Sequence, residues 1–435
     1  MSMFFHRAVR AAVNTSPGNQ TFTHGTLTEV PKFARLTMTI ATADDTLTNE
    51  ASIGRGFATA DKQYAFANKT VVLPGSPPVD WTNVVWSSAS KTACMSLLTD
   101  AGALTAVATF VSFGAGSITI NWTTAPAAAY LLTIELYGGD AYEVSCVEGV
   151  DTDYDLTPGT AVTLFGSAAD NDTLAGFFTG TAAGVFDESP NNTGLCRMGV
   201  FAGNGATITQ GGICWYDKHG TGFGTNLEVS IVTANSYVDS FHVGVSILDT
   251  LTVTNVTSTT ATAQTSGSAM PGAVCLWVAM RLTGSRGLSA KVVAFSNSST
   301  SANQVLSGVG FAPTAAISLS SMAGSLNTLI TSASAEGFGT GGWNKSGETF
   351  CNSIHSKDGS TPLVVKSRAS TKSYDATIAS TARSRGVFNV AFNDGVNFTG
   401  GSSAGTRYNV VLFLAPPPGI VMTGGVELKG GVVLG

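Results

Sequence analysis

The stretch Pro31-Lys32-Phe33-Ala34-Arg35-Leu36-Thr37-Met38-Thr39-Ile40, followed by Asp45-Thr46-Leu47, contains the pattern that decides the fold. The pattern is a proline, an alanine three residues later, and an Asx-Thr-Leu triplet whose leucine lies 16 residues after the proline. It returns at residues 158–174 and again at residues 313–329 with the same spacing. Fixed spacing of this kind predicts one structural unit copied three times in tandem.

The strand after each proline alternates apolar and polar side chains, as at 33–40, which predicts one face toward a core and one toward solvent. In each triplet the Asx predicts a turn, because Asn and Asp bond to their own backbone, and the leucine predicts a core position. Nearly continuous apolar runs close the copies at 130–136, 274–280 and 408–414. Such runs are typical of central strands that are covered on both faces.

The predicted fold is therefore all-β, with three tandem antiparallel β-sandwich repeats of jelly-roll-like type and a C-terminal extension. The predicted boundaries are an N-terminal arm at 1–18, repeats at 19–145, 150–284 and 290–416, and a proline-spaced assembly tail at 417–435.

Charged residues make up 11% of the 435 residues, and the formal net charge is −6. Ordinary globular proteins carry ~25% charged residues, so the charged fraction of this chain is low. A weakly charged surface tends to self-associate, which favours a subunit whose surface is buried against its neighbours in an assembly. A basic stripe typical of nucleic-acid binders is missing, and so is an apolar run of about 18 residues that would span a membrane. Residues 1–7 lack the apolar stretch of a signal peptide. We expect neither nucleic-acid binding, nor membrane insertion, nor export by a signal peptide.

Six scattered cysteines, none in a C-x-x-C pair, favour buried free thiols over disulfides. One tight acidic cluster, Asp151, Asp153 and Asp155, has the alternation that suits calcium, but Leu156 and Val162 stand where an EF-hand needs Gly and Glu. A solvated linker is the favoured interpretation, and a structural cation at an interdomain joint is the alternative. No cofactor is predicted.

Aromatic residues in polar or Gly-rich surroundings are candidates for ligand contact, because a tryptophan can stack on a sugar ring while nearby polar groups reach its hydroxyls. The alternative for each tryptophan is a place in its own sandwich or in a subunit interface, where tryptophan is also enriched. The candidates are Trp343, Asn344, Trp215, Tyr216, Trp81 and Trp86.

No catalytic residue is predicted. The histidines form no H-x-x-x-H pair, and no sequence pattern pairs two acids as a glycosidase requires. Residues 401–405 match G-x-S-x-G, but a strand rather than a helix is predicted after them, so a hairpin loop is favoured over a nucleophile elbow.

The C-terminal tail follows Pro416-Pro417-Pro418, which predicts a stiff extended spacer. The tail is apolar and spaced by glycines, and it has no predicted partner strand of its own. We expect it to add a strand to a neighbouring subunit or scaffold. The residues predicted to serve assembly are Ile420, Val421, Val426, Leu428, Val432 and Leu434.

Taken together, the motif of Asn-Gln, a proline followed by alanine, and a late Phe block ending in Gly116-Ser117-Ile118-Thr119-Ile120-Asn121-Trp122 resembles a repeated β module of tailed-bacteriophage virion proteins. The resemblance covers most of residues 19–416, and its match is weakest in the middle copy. It implies a structural or adhesive virion component and brings no catalytic residues.

This resemblance implies a non-enzymatic subunit of a tail fibre, tail tip or related appendage, acting in assembly and host attachment. The alternatives are a capsid decoration protein and a carbohydrate-binding module. The implied partners are other virion proteins, further copies of this chain and a host surface glycan. The implied location is the virion, assembled in the host cytoplasm.

Overall fold

The structure is a computed structural model, and its described part is all-β, with antiparallel sheets and no helix, as the sequence predicts. The described residues are 4–48, 50–72, 83–151, 161–167, 173–181, 186–187, 193–204, 206–218, 229–233, 238–242, 246–265, 273–283, 287–297, 303–321, 326, 330–331, 336–357, 364–376, 384–402, 407–416, 420–422 and 426–428.

Six sheets fall into three pairs, each made of one large and one small sheet, and we call these pairs the first, second and third unit. The first unit spans residues 5–138. Its large sheet has the order β1-β11-β3-β5-β6-β7 and its small sheet the order β2-β10-β9-β8. The strands of this segment are β1 (Phe5–Ala12), β2 (Gly18–Thr23), β3 (Phe33–Thr39), β4 (Leu47–Thr48), β5 (Ala51–Thr59), β6 (Gln63–Val72), β7 (Asn83–Ser90), β8 (Met95–Leu98), β9 (Leu104–Gly114), β10 (Ser117–Trp122) and β11 (Leu131–Gly138).

The second unit spans residues 142–282 and has the large-sheet order β12-β21-β14-β15-β16-β17 and the small-sheet order β13-β20-β19-β18. Strand for strand, this is the order of the first unit. Its strands are β12 (Tyr142–Asp151), β13 (Ala161–Thr163), β14 (Leu174–Thr181), β15 (Thr193–Asn204), β16 (Thr207–Lys218), β17 (Val229–Thr233), β18 (Val238–His242), β19 (Ser246–Val256), β20 (Thr260–Thr265) and β21 (Ala273–Leu282).

The third unit spans residues 289–415 and repeats the order, with β22-β32-β24-β26-β27-β28 in the large sheet and β23-β31-β30-β29 in the small one. The strands of this segment are β22 (Ser289–Asn297), β23 (Asn303–Leu306), β24 (Ala315–Ser321), β25 (Ile330–Thr331), β26 (Glu336–Asn344), β27 (Thr349–Lys357), β28 (Val364–Ser370), β29 (Tyr374–Ala376), β30 (Ser384–Phe392), β31 (Gly395–Ser402) and β32 (Arg407–Ala415).

Within each unit the small sheet packs on one face of the large sheet, which makes a β-sandwich-like layer pair. In the first unit Leu36 of β3 and Ile134 of β11 share a buried cluster with Ile118 and Trp122 of β10. The alternation along β10 is strict, because Ile118, Ile120 and Trp122 are buried while the residues between them are partly exposed. This period-2 pattern is what the sequence shows in the same segment.

The opposite faces of the three large sheets pack against one another and form one common core. Phe33 of the first unit lies with its ring centroid 6.0 Å from that of Phe177 in the second. Trp215 of the second unit lies 5.9 Å from Phe338 of the third by the same measure. Each large sheet is therefore covered on both faces. This explains the continuous apolar runs of the closing strands, since β32 is buried along seven consecutive residues.

Two of the loops that carry the Asx-Thr-Leu triplet add a strand to another unit's sheet. β4, from the segment of the first unit, pairs with β28 at the edge of the third unit's large sheet. β25, from the segment of the third unit, pairs with β17 at the edge of the second unit's large sheet. In the described residues the first unit thus extends a sheet of the third unit, and the third unit extends a sheet of the second.

Three placements differ from the sequence-based expectation. Residues 5–12, expected in an N-terminal arm, form β1 and pair along their whole length with β11. Residues 142–151, expected to include an interunit link, form β12 and pair with β21. Residues 161–163, expected to correspond to β3, form the edge strand of a small sheet, and β14 takes the place of β3 instead. In each case a tertiary pairing decides the place of a strand that local pattern alone leaves open.

The C-terminal tail forms its own two-stranded sheet from β33 (Ile420–Met422) and β34 (Val426–Leu428), paired antiparallel. The expectation that the tail has no partner strand of its own is therefore corrected. In the described part of the chain this hairpin pairs with no other sheet.

Candidate functional site

The tryptophans predicted to contact a ligand lie mostly in the interior. Trp343 is 2% exposed and packs between the two sheets of the third unit. Trp215 is 1% exposed and belongs to the common core of the large sheets. A sugar cannot stack on a ring that is covered in this way, so the prediction of ligand contact is corrected for both residues. Trp215 lies in β16 and Trp343 in β26, and in both strands the tryptophan is on a face that packs against another sheet.

The other predicted contact residues are placed as follows. Asn344 is buried and donates a hydrogen bond to the backbone oxygen of His6 over 3.3 Å and another to the Glu348 carboxylate. Trp86 is half-buried, and its Nε1 donates to the backbone oxygen of Asp100 over 3.2 Å. Tyr216 pairs through its backbone with Leu195, whereas Trp81 lies outside the described residues.

The acidic cluster is only partly described. Asp151 ends β12, and Asp153 and Asp155 lie outside the described residues. Among the residues that are described, no group of three His, Cys, Asp or Glu side chains is arranged to hold a metal ion. All six cysteines are free, and five of them are buried, which confirms the prediction of buried thiols. The described part of the chain also includes no helix of a length and apolarity suited to a membrane span.

The most elaborate arrangement of polar groups lies where the three large sheets meet. Glu135 is completely buried, and one of its oxygens accepts a hydrogen bond from Nε of Arg35 over 2.5 Å. The other oxygen accepts from the Tyr137 hydroxyl over 2.6 Å and lies 3.2 Å from Nε2 of His6. Burial alone would raise the pKa of Glu135, but Arg35 and the hydrogen bonds outweigh burial and hold it below its usual value.

Arg35 also ties the first unit to the third. Its Nη1 donates to the hydroxyl of Thr340 over 3.1 Å, and its Nη2 donates to the backbone oxygen of Gly341 over 3.0 Å. In the reverse direction, Nδ2 of Asn352 in the third unit donates to the hydroxyl of Thr37 over 2.8 Å. Buried hydrogen bonds of this kind specify which units meet and in what register, because a wrong pairing leaves them unsatisfied.

Arg55 ties the first unit to the second. Its Nη1 donates to the hydroxyl of Thr179, and its Nη2 donates to Oδ1 of Asn68 over 2.7 Å. Nδ2 of Asn68 donates in turn to the hydroxyl of Thr181 over 3.1 Å. These polar residues are not among those predicted from the sequence. A signal was present, since a charged residue inside a buried strand is conspicuous in a chain with 11% charged residues.

A second interunit contact centres on Glu348 of the third unit. Its carboxylate accepts a hydrogen bond from the backbone N–H of Ala8 over 2.7 Å, and it also contacts Nε2 of His24. Burial alone would raise the pKa of Glu348, but hydrogen bonds from Asn344, His24 and Ala8 outweigh burial and lower it. The first unit is thus joined to the third by charged groups both at the core and near its edge.

Two shallow recesses flank the turn between β5 and β6, where the first unit meets the second. One has a volume of about 500 Å³ and is lined by Lys62, Lys91 and Glu148 together with half-buried Phe110. The other has a volume of about 490 Å³ and is lined by charged groups that include Arg281. Volumes of this size lie in the range of small-molecule pockets.

Comparisons with known proteins identify no family. No protein-family model matches the chain, and no curated protein matches it. PNGF-II aligns at 7% identity, over 93% of this chain and 100% of its own, with a TM-score of 0.17. The anion-selective porin from Comamonas acidovorans aligns at 10% identity, over 94% and 100%, with a TM-score of 0.12. TM-scores this low carry no argument about the fold or the function of this chain.

Proposed function

We propose that this chain is a non-enzymatic structural subunit of a bacteriophage virion, built from three tandem copies of one antiparallel, jelly-roll-like β-sandwich module. Its place is a tail fibre, tail tip or related appendage, where it serves assembly and host attachment. Its partners are other virion proteins and further copies of itself.

The observation that carries the proposal is the common core between the three large sheets. It joins three units of the same strand order in one block, in which each unit packs one face of its large sheet against the other units and the opposite face against its own small sheet. Sheet extension by β4 and β25 joins the units further. Three like units around one core resemble the subunits of a closed trimer, and closed symmetry is usual in large assemblies. A scaffold of this kind supports a structural role.

The C-terminal hairpin supplies the proposed means of assembly. A two-stranded sheet alone is marginally stable in water, and in the described part of the chain β33 and β34 pair only with each other. Docking on a neighbouring sheet would complete their hydrogen bonding. Ile420, Val421, Val426 and Leu428 lie in the hairpin, whereas Val432 and Leu434 lie outside the described residues.

The test is quantitative mass spectrometry of purified particles of the phage that encodes this chain. We expect the chain to be enriched in particles together with known virion proteins, while an abundant host cytoplasmic protein serves as the negative control. A chain that is abundant in the lysate and absent from particles contradicts the proposal. Copy number separates an appendage, with roughly a handful to tens of copies, from a capsid decoration, with on the order of hundreds.

A carbohydrate-binding module is the second candidate, and the two polar recesses beside the β5–β6 turn favour it. A glycan array probed with the purified monomer tests it. Binding that is lost in Lys62→Ala and kept in Lys345→Ala, which lies in the third unit, would support this function. Turnover of a polysaccharide by the purified chain would contradict both non-enzymatic functions.

A further inference from the structure

A small cavity lies at the junction of the three large sheets, and it does not enter the proposed function. Its volume is about 20 Å³, which is enough for one water-sized group, since a single water needs at least roughly 10–15 Å³ by this measure. All three units contribute walls. The polar part of the lining consists of Arg35, Thr37, Arg55, Thr179 and Thr340, and the rest is mostly apolar side chains.

The cavity wall holds a positive charge that no carboxylate balances. Arg35 is neutralised by Glu135, but the hydrogen-bond acceptors of Arg55 are neutral oxygens, on Thr179, Asn68 and the backbone of Arg197. Its guanidinium also lies 5.7 Å from the centroid of the Phe66 ring, which carries no net charge. Arg55 is 1% exposed, and among the described residues no carboxylate lies within ion-pair distance of it and no acceptor faces its Nε. A buried charge in this state is costly unless an opposite charge is brought to it.

Three threonine hydroxyls on the wall have a hydrogen to donate. The hydroxyl of Thr37 accepts from Asn352, that of Thr179 accepts from Arg55, and that of Thr340 accepts from Arg35. Since a hydroxyl has one donor besides its acceptor lone pairs, each keeps its own O–H, and none of the three donates to an acceptor in the described part of the chain. One O–H is supplied by each unit.

We propose that this cavity binds one small monovalent anion, of which chloride is the representative. The anion would accept hydrogen bonds from the hydroxyls of Thr37, Thr179 and Thr340 and would offset the charge of Arg55. Water could accept some of these bonds, but it would leave the charge unbalanced. Phosphate, sulfate and carboxylates are too large for the volume. The ligand is thus a structural ion that fastens three units at one point.

The direct test uses the full chain crystallised in sodium bromide, with diffraction data collected above the bromine absorption edge. An anomalous peak between Thr37, Thr179 and Thr340 is the expected result. Electron density in the cavity that fits a water molecule and has no anomalous signal would overturn the proposal. This measurement needs only the wild-type protein, so it stands even where a variant fails to fold.

The solution test follows the Tm of the full chain as chloride replaces gluconate at constant ionic strength, so that general screening is held fixed. The Tm should begin to rise as chloride exceeds its dissociation constant and should then increase with the logarithm of the chloride concentration, as expected when a ligand binds only the folded state. Thr179→Val should need about tenfold more chloride for the same rise in Tm, the loss expected for one hydrogen bond to a charged group.

Thr133→Val is the matched control, because the Thr133 hydroxyl is buried and also accepts from Asn352 but does not line the cavity. This variant should keep the chloride dependence of the wild type. A Tm that is indifferent to chloride in the wild-type protein, or an equal change in both variants, would refute an anion in this cavity.

Discussion

Asp45 of the first unit accepts a hydrogen bond over 2.9 Å from Nη2 of Arg368 in the third unit, whose side chain is 1% exposed. Asp45 has a backbone φ of 59°, so it is also the residue that turns the loop. Its backbone N–H donates to the oxygen of Ala369 over 2.8 Å. The first residue of the Asx-Thr-Leu triplet is thus both a turn former, as predicted, and the point at which one unit holds another.

Replacing this carboxylate should weaken the contact between the first and third units. In Asp45→Asn the buried Arg368 guanidinium loses its closest carboxylate, and Asp375 remains at 3.7 Å. Because the Asp45 side chain is 39% exposed, solvent screening limits the loss to about 1 kcal/mol of unfolding free energy. Urea unfolding measures it, with Asp140→Asn at an exposed turn as the control. Equal midpoints for the two variants would show that the contact contributes nothing.

The Glu135 network should make the free energy of unfolding depend on pH in the acidic range. Burial alone would raise the pKa of Glu135, but Arg35, His6 and Tyr137 outweigh it, so the folded-state pKa lies below the unfolded value of about 4.3. A carboxyl with a lowered pKa contributes stability above the unfolded pKa and loses it as the pH falls through the folded pKa. We expect Glu135→Gln to cost about 3–5 kcal/mol at pH 7, because Arg35 is left as an unpaired buried charge.

Chemical unfolding of wild type and Glu135→Gln across the pH range measures this difference. It should be constant above about pH 4.3 and should narrow below it, as wild-type Glu135 itself takes up a proton. Tyr137→Phe, which removes one donor and leaves the ion pair, should cost about 1–2 kcal/mol. A pH-independent difference would mean that the network does not titrate as its geometry indicates.

The all-β class, the strand content and the two-sided burial of the closing strands follow from the sequence because they depend on local periodicity. The register of the middle copy does not. Pro158 and Leu174 reproduce the 16-residue spacing of Pro31 and Leu47, yet β13 lies in a small sheet and Leu174 begins the strand that corresponds to β3. Spacing measures distance along the chain, whereas the sheet to which a strand belongs is decided by long-range pairing.

The polar junction was missed for a related reason. Arg35 and Glu135 sit opposite each other on β3 and β11, but their sequence separation of 100 residues gives no local signal. Conversely, Trp343 lies in a Gly-rich, polar stretch that looks like a surface loop, and yet it is part of β26. The glycines of β26 allow a neighbouring backbone to approach closely, since a Cβ on Gly341 would lie 2.4 Å from the backbone oxygen of Phe350.

Gly395, the first residue of β31, allows a close approach between two backbone segments of the third unit. A Cβ at this position would lie 1.9 Å from the backbone oxygen of Leu306, as a Cβ at Gly116 would from that of Leu27. We expect Gly395→Ala to lower the free energy of unfolding by about 1–3 kcal/mol through this clash. Gly25→Ala, where nothing lies within 4 Å, should stay within about 0.5 kcal/mol of wild type. Denaturant midpoints that do not distinguish the two would contradict the close approach.

The thiols should be unreactive in the native protein. Burial raises the pKa of Cys196 to about 11 and that of Cys146 to about 12, and the thiolate is the reactive form. At pH 8 we expect a disulfide reagent to label only half-buried Cys275 quickly, and all six cysteines after denaturation. Cys275→Ser should remove the fast phase. Rapid labelling of several thiols in the native state would mean that the units open readily.

The C-terminal hairpin should be needed for assembly and not for folding. Because β33 and β34 form a sheet apart from the large sheet of the third unit, deletion of residues 419–435 should leave the Tm of the monomer unchanged. The same deletion should abolish oligomerisation or incorporation into particles, since it removes the strands proposed to dock. Differential scanning calorimetry measures the first effect, and sedimentation velocity together with particle incorporation measures the second.

A chain that ends after Leu428 is the matched control, because it keeps both strands of the hairpin and removes only the last residues of the tail. It should assemble like the full chain if the hairpin is the docking element, with the prolines at 416–418 setting its reach at about 3.1 Å per residue. Loss of assembly in this control would move the docking role to Val432 and Leu434. Normal assembly of the longer deletion would show that the tail has no role in it, and a lowered Tm would show that the hairpin stabilises the third unit.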